Sequence, residues 1–152
     1  MFKLVLLSVL LALSGTQAFW TACSGILAPT NIVSDVCSGS SCTVRRGQTF
    51  TAQATITFTQ AHARLDTRIT VFLLGVGINV PQDPPHDNVC NNLYRDGVLA
   101  GCPTVPGAAH VWNIEMLVTN LTPTANNARV RFEGLENGVS QVCADVTATI
   151  TA

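Results

Sequence analysis

The residues of this 152-residue chain with the most clearly defined chemistry are its six cysteines. They are Cys23, Cys37, Cys42, Cys90, Cys102 and Cys143. In an exported chain, an even number of cysteines predicts three disulfides. The short separations favour bridges between residues 37 and 42 and between residues 90 and 102, which leaves Cys23 to reach Cys143. Zinc binding is the competing interpretation, and it is disfavoured because the sequence has no C-x-x-C pair.

Other residues that could carry chemistry are too scattered to form a catalytic or metal site. The sequence has no Gly-x-Ser-x-Gly nucleophile motif, and paired cysteines leave no thiolate nucleophile. His62, His86 and His110 are dispersed, and none belongs to a helix-spaced ligand pair. Asp83 and Asp87 flank a proline-rich segment typical of a solvated turn. We therefore predict that the protein is not an enzyme and holds neither a metal ion nor a cofactor.

The first 18 residues have the organisation of a secretory signal peptide. Lys3 precedes an apolar run, and small residues that include Thr16 and Ala18 follow it. This run is too short to anchor the chain, and no other segment is long enough to cross a bilayer. We expect residues 1–18 to be removed and residues 19–152 to form one domain. That domain is predicted to be secreted, or to reside in the endosomal or lysosomal lumen.

The charge balance argues against nucleic acid as a partner. Lys3 is the only lysine, so the rest of the chain has seven basic and nine acidic residues. Phosphate binding instead requires a clustered basic surface. Only 11% of all residues are charged while 47% are apolar, so the folded chain must enclose much apolar surface.

One sequon for N-glycosylation is present. Asn120 begins the sequence Asn-Leu-Thr, which is an acceptor in exported chains. We therefore expect Asn120 to be a glycosylation site, with the occupancy lowered by Pro123 directly after the sequon.

Alternation of apolar and polar residues predicts an all-β chain. A period of two places apolar side chains on one face of a strand, and no segment shows an extended helical period. The predicted strands are 50–60, 65–74, 111–120, 129–133 and 142–150. Asn137-Gly138 is a strong hairpin signal. Strands of this length with recurrent turn signals indicate an antiparallel β-sandwich.

Two segments are less regular. Gly75 and Gly77 can introduce a bulge or bend, so the facing of residues 76–80 is uncertain. Residues 81–107 are predicted to be a long loop held by a disulfide. Within the strands, alanines leave space between the sheets if no larger neighbour fills it; they are Ala52, Ala54, Ala144 and Ala148.

Several short patterns together resemble the ML lipid-recognition domain family. They are an early Cys23, the staple from Cys37 to Cys42, Arg46-Gly47-Gln48 before a strand, Gly75-Val76 followed by Pro81, Gly101-Cys102-Pro103, and Glu136-Asn137-Gly138 before Cys143. This family includes the Niemann-Pick type C2 sterol carriers, arthropod relatives and the group 2 mite allergens. The resemblance covers nearly all of the chain after residue 18.

The resemblance implies an immunoglobulin-like sandwich with an apolar cavity between two sheets and without an inter-sheet disulfide. It implies the pairs Cys23–Cys143, Cys37–Cys42 and Cys90–Cys102. The residues it assigns to the ligand cavity are Ile56, Phe58, Val71, Leu73, Val76, Val80, Trp112, Ile114, Phe132, Ala144 and Val146.

The expected ligand is a sterol, a fatty acid or a lipid acyl chain. The chain departs from sterol carriers in its longer loop between Cys90 and Cys102, and in Val80 and Ala144, which stand where large aromatics are expected. A fatty acid is therefore at least as plausible as a sterol. The expected state is a monomer that delivers its ligand to a membrane-protein acceptor or a receptor.

Two other functions are compatible with these patterns. An innate-immune protein would bind microbial lipids such as lipopolysaccharide, and it would need a basic rim around the cavity. The candidate residues are Arg45, Arg46, Arg129 and Arg131. An adhesive immunoglobulin-like module would instead have a filled interior and no ligand.

Overall fold

A computed structural model describes residues 18–152, which form two facing β-sheets. The predicted signal peptide, apart from Ala18, lies outside the described residues. The strands in chain order are β1 (Trp20–Ala22), β2 (Asn31–Val33), β3 (Cys37–Ser38), β4 (Ser41–Arg45), β5 (Thr49–Thr57), β6 (Asp66–Leu73), β7 (Val76–Val80), β8 (Leu93–Arg95), β9 (Val98–Leu99), β10 (Ala109–Leu117), β11 (Ala125–Glu136) and β12 (Val139–Thr151).

The larger sheet has seven strands in the order β3-β4-β12-β11-β6-β7, with β1 also paired to β12. The smaller sheet has five strands in the order β2-β5-β10-β8-β9. All pairings are antiparallel except that between β4 and β12. The all-β sandwich predicted from the alternation is therefore confirmed.

The longest hairpin joins β11 to β12 at the predicted turn. Asn137 and Gly138 have φ of 52° and 78°. Two successive positive φ angles are the requirement of a type I′ turn, which matches the twist of paired strands. The turn starts the pairing with Glu136 opposite Val139, and a register shift between Leu135 and Gly134 then brings Phe132 opposite Ala144 and Val130 opposite Val146.

The core forms where large side chains lie opposite small ones. In the smaller sheet Trp112 is paired with Ala54, and Ile114 with Ala52. All four side chains are at most 5% exposed. The space that these alanines leave is taken up by larger neighbours, so the alanines do not hollow out the middle of the sandwich.

The strand predictions were accurate for the long strands and incomplete elsewhere. Each of the five predicted strands is present, and β11 and β12 extend beyond their predicted ends. Four short strands before residue 46 were not predicted. Residues 81–107 do carry the predicted disulfide between Cys90 and Cys102. They are not loop throughout, because they contain a 3₁₀ helix (Val89–Asn92) followed by β8 and β9.

The three disulfides have the pairing that the resemblance implied: Cys23–Cys143, Cys37–Cys42 and Cys90–Cys102. No free cysteine remains in the described part of the chain. Each bridge joins elements of one sheet or closes a loop, and none connects a strand of the larger sheet to a strand of the smaller one.

Across residues 18–152, no helix has both the length and the apolar character needed to span a membrane.

Removal of the long-range disulfide should destabilise the protein most. Cys23 and Cys143 are separated by 120 residues, and Cys37 and Cys42 by 5. Because a larger closed loop restricts the unfolded chain more, replacing both members of the first pair by alanine should cost about 5 kcal/mol of unfolding free energy, against about 2 kcal/mol for the second pair. Urea unfolding of both double variants measures the difference. An equal or reversed order would contradict this account.

Candidate functional site

At one end of the sandwich, the inner faces of the two sheets border an apolar cleft. The residues that line it are Val44, Phe50, Val71, Val80, Met116, Leu117, Val118, Thr122, Val130, Phe132, Val146, Ala148 and Ile150. Thr122 is the only polar residue among them. The free volume is about 20 Å³, close to the space that a single water molecule needs. In this conformation the cleft is therefore nearly closed.

Strand register explains why these side chains meet. Met116 on β10 lies opposite Phe50 on β5, and Val44 on β4 lies beside Ile150 on β12. Each occupies an inward position in an alternating strand, and all four are at most 6% exposed. At the cleft end, the inner faces of both sheets therefore consist of apolar side chains.

A pair of aromatic rings crosses the gap between the sheets. Phe50 of the smaller sheet and Phe132 of the larger sheet are stacked, with ring centroids 5.6 Å apart and planes inclined by 23°. Both rings line the cleft. Such a contact contributes about 0.5–1.5 kcal/mol beyond the burial of its area. Separation of the two sheets at the cleft would break this contact.

Four of the residues assigned to the cavity by resemblance line the cleft: Val71, Val80, Phe132 and Val146. Five others are buried in the core but do not line it; they are Ile56, Phe58, Trp112, Ile114 and Ala144. Leu73 packs at the border of the core, and Val76 on β7 is 64% exposed.

Nine lining residues were not predicted from the sequence. They are Val44, Phe50, Met116, Leu117, Val118, Thr122, Val130, Ala148 and Ile150. Most of these nine residues occupy inward positions of alternating strands, as the predicted cavity residues do. That alternation is the signal in the sequence that could have identified them. Alternation identifies the inward face of a strand, but it does not indicate which end of the sandwich opens.

The mouth of the cleft is surrounded by exposed apolar side chains. Leu117, which lines the cleft, is 56% exposed, and Leu121 beside Thr122 is 93% exposed. Ile78, two positions before Val80 on β7, is 47% exposed. We call Leu117, Leu121 and Ile78 the apolar rim, and large apolar side chains exposed beside a cleft are typical of a surface that contacts a partner.

The sequon residue Asn120 is exposed close to this mouth, two residues before Thr122. Its backbone carbonyl accepts a hydrogen bond from the Arg46 guanidinium at 3.3 Å. Arg46 therefore brings a positive charge close to the mouth.

The other arginines proposed for a basic rim lie on the outer face of the larger sheet. Arg131 donates two hydrogen bonds to Asp145, at 2.8 and 2.9 Å, and these raise the pKa of its guanidinium. Arg129 lies 4.0 Å from the centroid of the Phe72 ring and 3.9 Å from Asp145. Arg45 follows the cleft residue Val44 on β4, so it lies at the cleft end of the sandwich, but it occupies an exposed, outward position of that strand. The structure does not bring the four arginines together around the cleft.

The opposite end of the sandwich has a polar cluster. His62 is 3% exposed, and its Nδ1 lies 2.9 Å from Glu136 Oε2. The other oxygen of Glu136 accepts a hydrogen bond from the Ala63 backbone N–H at 3.1 Å. These bonds, with that of His62 the larger cause, hold the pKa of the Glu136 carboxyl below its usual value.

Glu136→Gln should alter the acid dependence of stability. Because folding lowers the pKa of Glu136, its carboxylate stabilises the folded state at pH values above the ordinary glutamate pKa, about 4.3. That contribution is lost as the pH falls through the lower folded-state pKa. Urea unfolding at a series of pH values should show the parent losing its advantage over the variant below about pH 4.3. A difference that stays constant on acidification would exclude this role.

Comparisons with known proteins found one family model and similar solved structures. A family model described as ML domain matches residues 17–150. The crystal structure of a Niemann-Pick type C2 protein from Japanese carpenter ant superposes with a TM-score of 0.71, covering 87% of this chain and 98% of that one at 18% identity. The crystal structure of chicken MD-1 complexed with lipid IVa has a TM-score of 0.47, covering 84% of this chain and 85% of that one at 13% identity. Among curated proteins no sequence matches.

Proposed function

The chain belongs to the ML domain family of lipid-recognition domains, and on that premise we propose that it is a secreted, non-enzymatic carrier of one long apolar chain. The observation that supports this function best is the cleft between the sheets, in which Thr122 is the one polar lining residue. A surface of this composition binds through the hydrophobic effect and offers few directed contacts.

Ligand uptake requires the two sheets to move apart, since the cleft holds only about 20 Å³. Opening breaks the stack between Phe50 and Phe132, at a cost of about 0.5–1.5 kcal/mol. Each ligand methylene that replaces water contributes about 0.8 kcal/mol. Burial of about two methylenes therefore offsets the cost of breaking the aromatic contact. Each further methylene adds binding free energy, so we expect long chains to bind more tightly than short ones.

The ligand head group would remain at the mouth. Thr122 is the lining residue with a hydroxyl, and Arg46 lies nearby through its bond to Asn120. A positive charge beside an apolar cleft favours a fatty-acid carboxylate over the hydroxyl of a sterol. We therefore prefer a fatty acid as the ligand, bound by a monomer.

The exposed rim formed by Leu117, Leu121 and Ile78 supports transfer of the ligand to an acceptor, either a membrane protein or a receptor. Because Asn120 is exposed beside this rim, a glycan attached there would extend from the mouth. Export in the secretory pathway is proposed from the signal sequence.

The alternative function, recognition of a microbial lipid such as lipopolysaccharide, needs several cations near the head group. Arg131 is committed to Asp145 on the outer face, whereas Arg46 is bonded to Asn120 in the segment that borders the mouth. Arg46→Ala should therefore weaken fatty-acid binding modestly. If lipopolysaccharide bound more tightly than fatty acids and lost its binding in this variant, the recognition function would replace the carrier function.

Val80→Trp should reduce binding of a long-chain fluorescent fatty acid at least about tenfold. Val80 is half-buried at the cleft, and a larger ring there would displace about two ligand methylenes, equivalent to about 1.5 kcal/mol. Fluorescence titration of the refolded or secreted protein gives the dissociation constants.

The matched control is Val139→Trp, since Val139 is 62% exposed at the start of β12, next to the hairpin turn and away from the cleft. It should bind like the parent. Equal affinity for the parent and Val80→Trp, with both folded by circular dichroism, would place the ligand elsewhere.

A further inference from the structure

Exposed apolar side chains are concentrated at the cleft end of the sandwich. Of the ten large apolar side chains that are exposed in residues 18–152, five lie at this end. They are Leu74, Val76, Ile78, Leu117 and Leu121. Leu74 and Leu121 are the two most exposed of all ten. Single exposed apolar residues are ordinary, but a group of them beside an apolar cleft indicates a contact surface.

The turn between β6 and β7 lies at this end because of the strand register. Ala125 of β11 lies opposite Ile150 of β12, which lines the cleft. β6 runs antiparallel to β11, with Phe72 opposite Arg129, so the turn that follows β6 lies near the Ala125 end of β11. Leu74 in this turn is therefore exposed at the same end as the apolar rim.

Leu74 occupies a position that backbone geometry and packing do not explain. Leu74 and Gly75 have φ of 50° and 80°. Two successive positive φ angles belong to a type I′ turn, in which asparagine, aspartate and glycine are preferred, and a leucine with positive φ is uncommon. The Leu74 side chain is fully exposed, so it gains nothing from contacts within the chain. An apolar contact outside the protein would account for a leucine here.

The cleft end is also cationic in a chain whose net charge is negative. The segments that form this end are residues 44–50, 72–80, 116–128 and 148–152. They contain Arg45 and Arg46 and none of the nine acidic residues of the chain. Arg45 is exposed, and Arg46 donates to the backbone carbonyl of Asn120. Apolar side chains and uncompensated positive charge therefore occur together at the mouth.

The turn that carries these arginines is fixed to both sheets. Gly47 N–H donates to the Val118 carbonyl at 2.6 Å, and Val118 N–H donates to the Gln48 carbonyl at 2.9 Å. Arg46 N–H donates to the carbonyl of Thr151, at the end of β12, at 3.0 Å. These backbone bonds hold the turn, and with it the two charges, beside the mouth.

We propose that the cleft end docks on the surface of an anionic lipid bilayer. Leu74 and Leu121 would enter the boundary of the acyl chains, while Arg45 and Arg46 would contact the head groups. Apolar side chains next to basic ones are the pattern of peripheral membrane binding. A bilayer is favoured over a protein partner because a lipid could then pass between membrane and cleft without exposing its chain to water. The proposal rests on the carrier function for its role, whereas the observations that support it do not depend on the ligand.

The test is co-sedimentation with vesicles of phosphatidylcholine alone and of phosphatidylcholine mixed with phosphatidylserine. The protein is used without a glycan, because a glycan on Asn120 would stand beside Leu121. Two basic side chains near the surface should strengthen binding to the anionic vesicles about thirtyfold, and added salt should weaken it. Equal binding to both compositions would overturn the proposal. Binding to neither would also overturn it and would assign this surface to a protein acceptor.

The Leu74→Asn variant separates docking from folding. Asparagine adopts positive φ more readily than leucine, so urea unfolding should show a stability at least equal to that of the parent. Binding to anionic vesicles should fall about tenfold, because one leucine no longer leaves water. The matched control is Leu99→Asn. Leu99 is exposed on β9, whose partner β8 pairs with the start of β10, away from the cleft, and its variant should bind vesicles like the parent. Unchanged vesicle binding in Leu74→Asn would contradict docking.

Titration with a fluorescent fatty acid in the absence of vesicles separates docking from the carrier function. Leu74 does not line the cleft, so Leu74→Asn should bind the fatty acid like the parent. Loss of fatty-acid binding in this variant would mean that Leu74 supports the cleft, and the docking assignment would be wrong. If the parent bound anionic vesicles but no fatty acid, the carrier function would fail and the docking surface would stand.

Discussion

The structure depends on apolar contact between two sheets that no disulfide joins. Each of the three disulfides acts within one sheet or one loop, and no cysteine lines the cleft. The sheets are therefore held together at that end by side chains such as Phe50 and Phe132. The interaction that closes the empty sandwich is thus of the same kind as the interaction that would retain a lipid. Opening can exchange one apolar contact for another without strain in a crosslink.

The sequence determined the fold more fully than the site. Strict alternation in residues 50–58 and 142–150 identifies inward faces, and the Asn137-Gly138 turn identifies the hairpin that joins β11 to β12. The register shift at Gly134 and Leu135 in that hairpin was not predicted. Strands β1 to β4, with at most five residues each, are too short for periodicity to reveal. An inward position does not tell how far a residue lies from the open end of the sandwich. Ala144 faces inward but lies opposite Phe132, which fills the adjacent space. Ala148, four residues later on the same strand, lines the cleft.

The ion pairs of the larger sheet could not be predicted from the spacing of charged residues in the sequence. Arg129 and Arg131 alternate with inward residues, so an outward position followed from the pattern. Their engagement with Asp145 depends on the register between β11 and β12, in which Arg131 lies directly opposite Asp145. Glu133 is likewise bound by Arg68 from β6, at 2.7 Å. The outer face of the larger sheet therefore carries compensated charge, and the arginine count alone overstates the basic surface.

The paired strands β5 and β10 border the cleft with their inner face and a polar surface groove with their outer face. Nine residues of each strand are paired without a register shift, with Phe50 and Met116 facing the cleft and Asn113 and Glu115 the groove. A lipid that separates the sheets changes the distance between them, but it need not change the spacing within this ladder. Because this ladder lies within one sheet, uptake of a lipid can displace the smaller sheet as a unit and leave the side chains on its outer face in place.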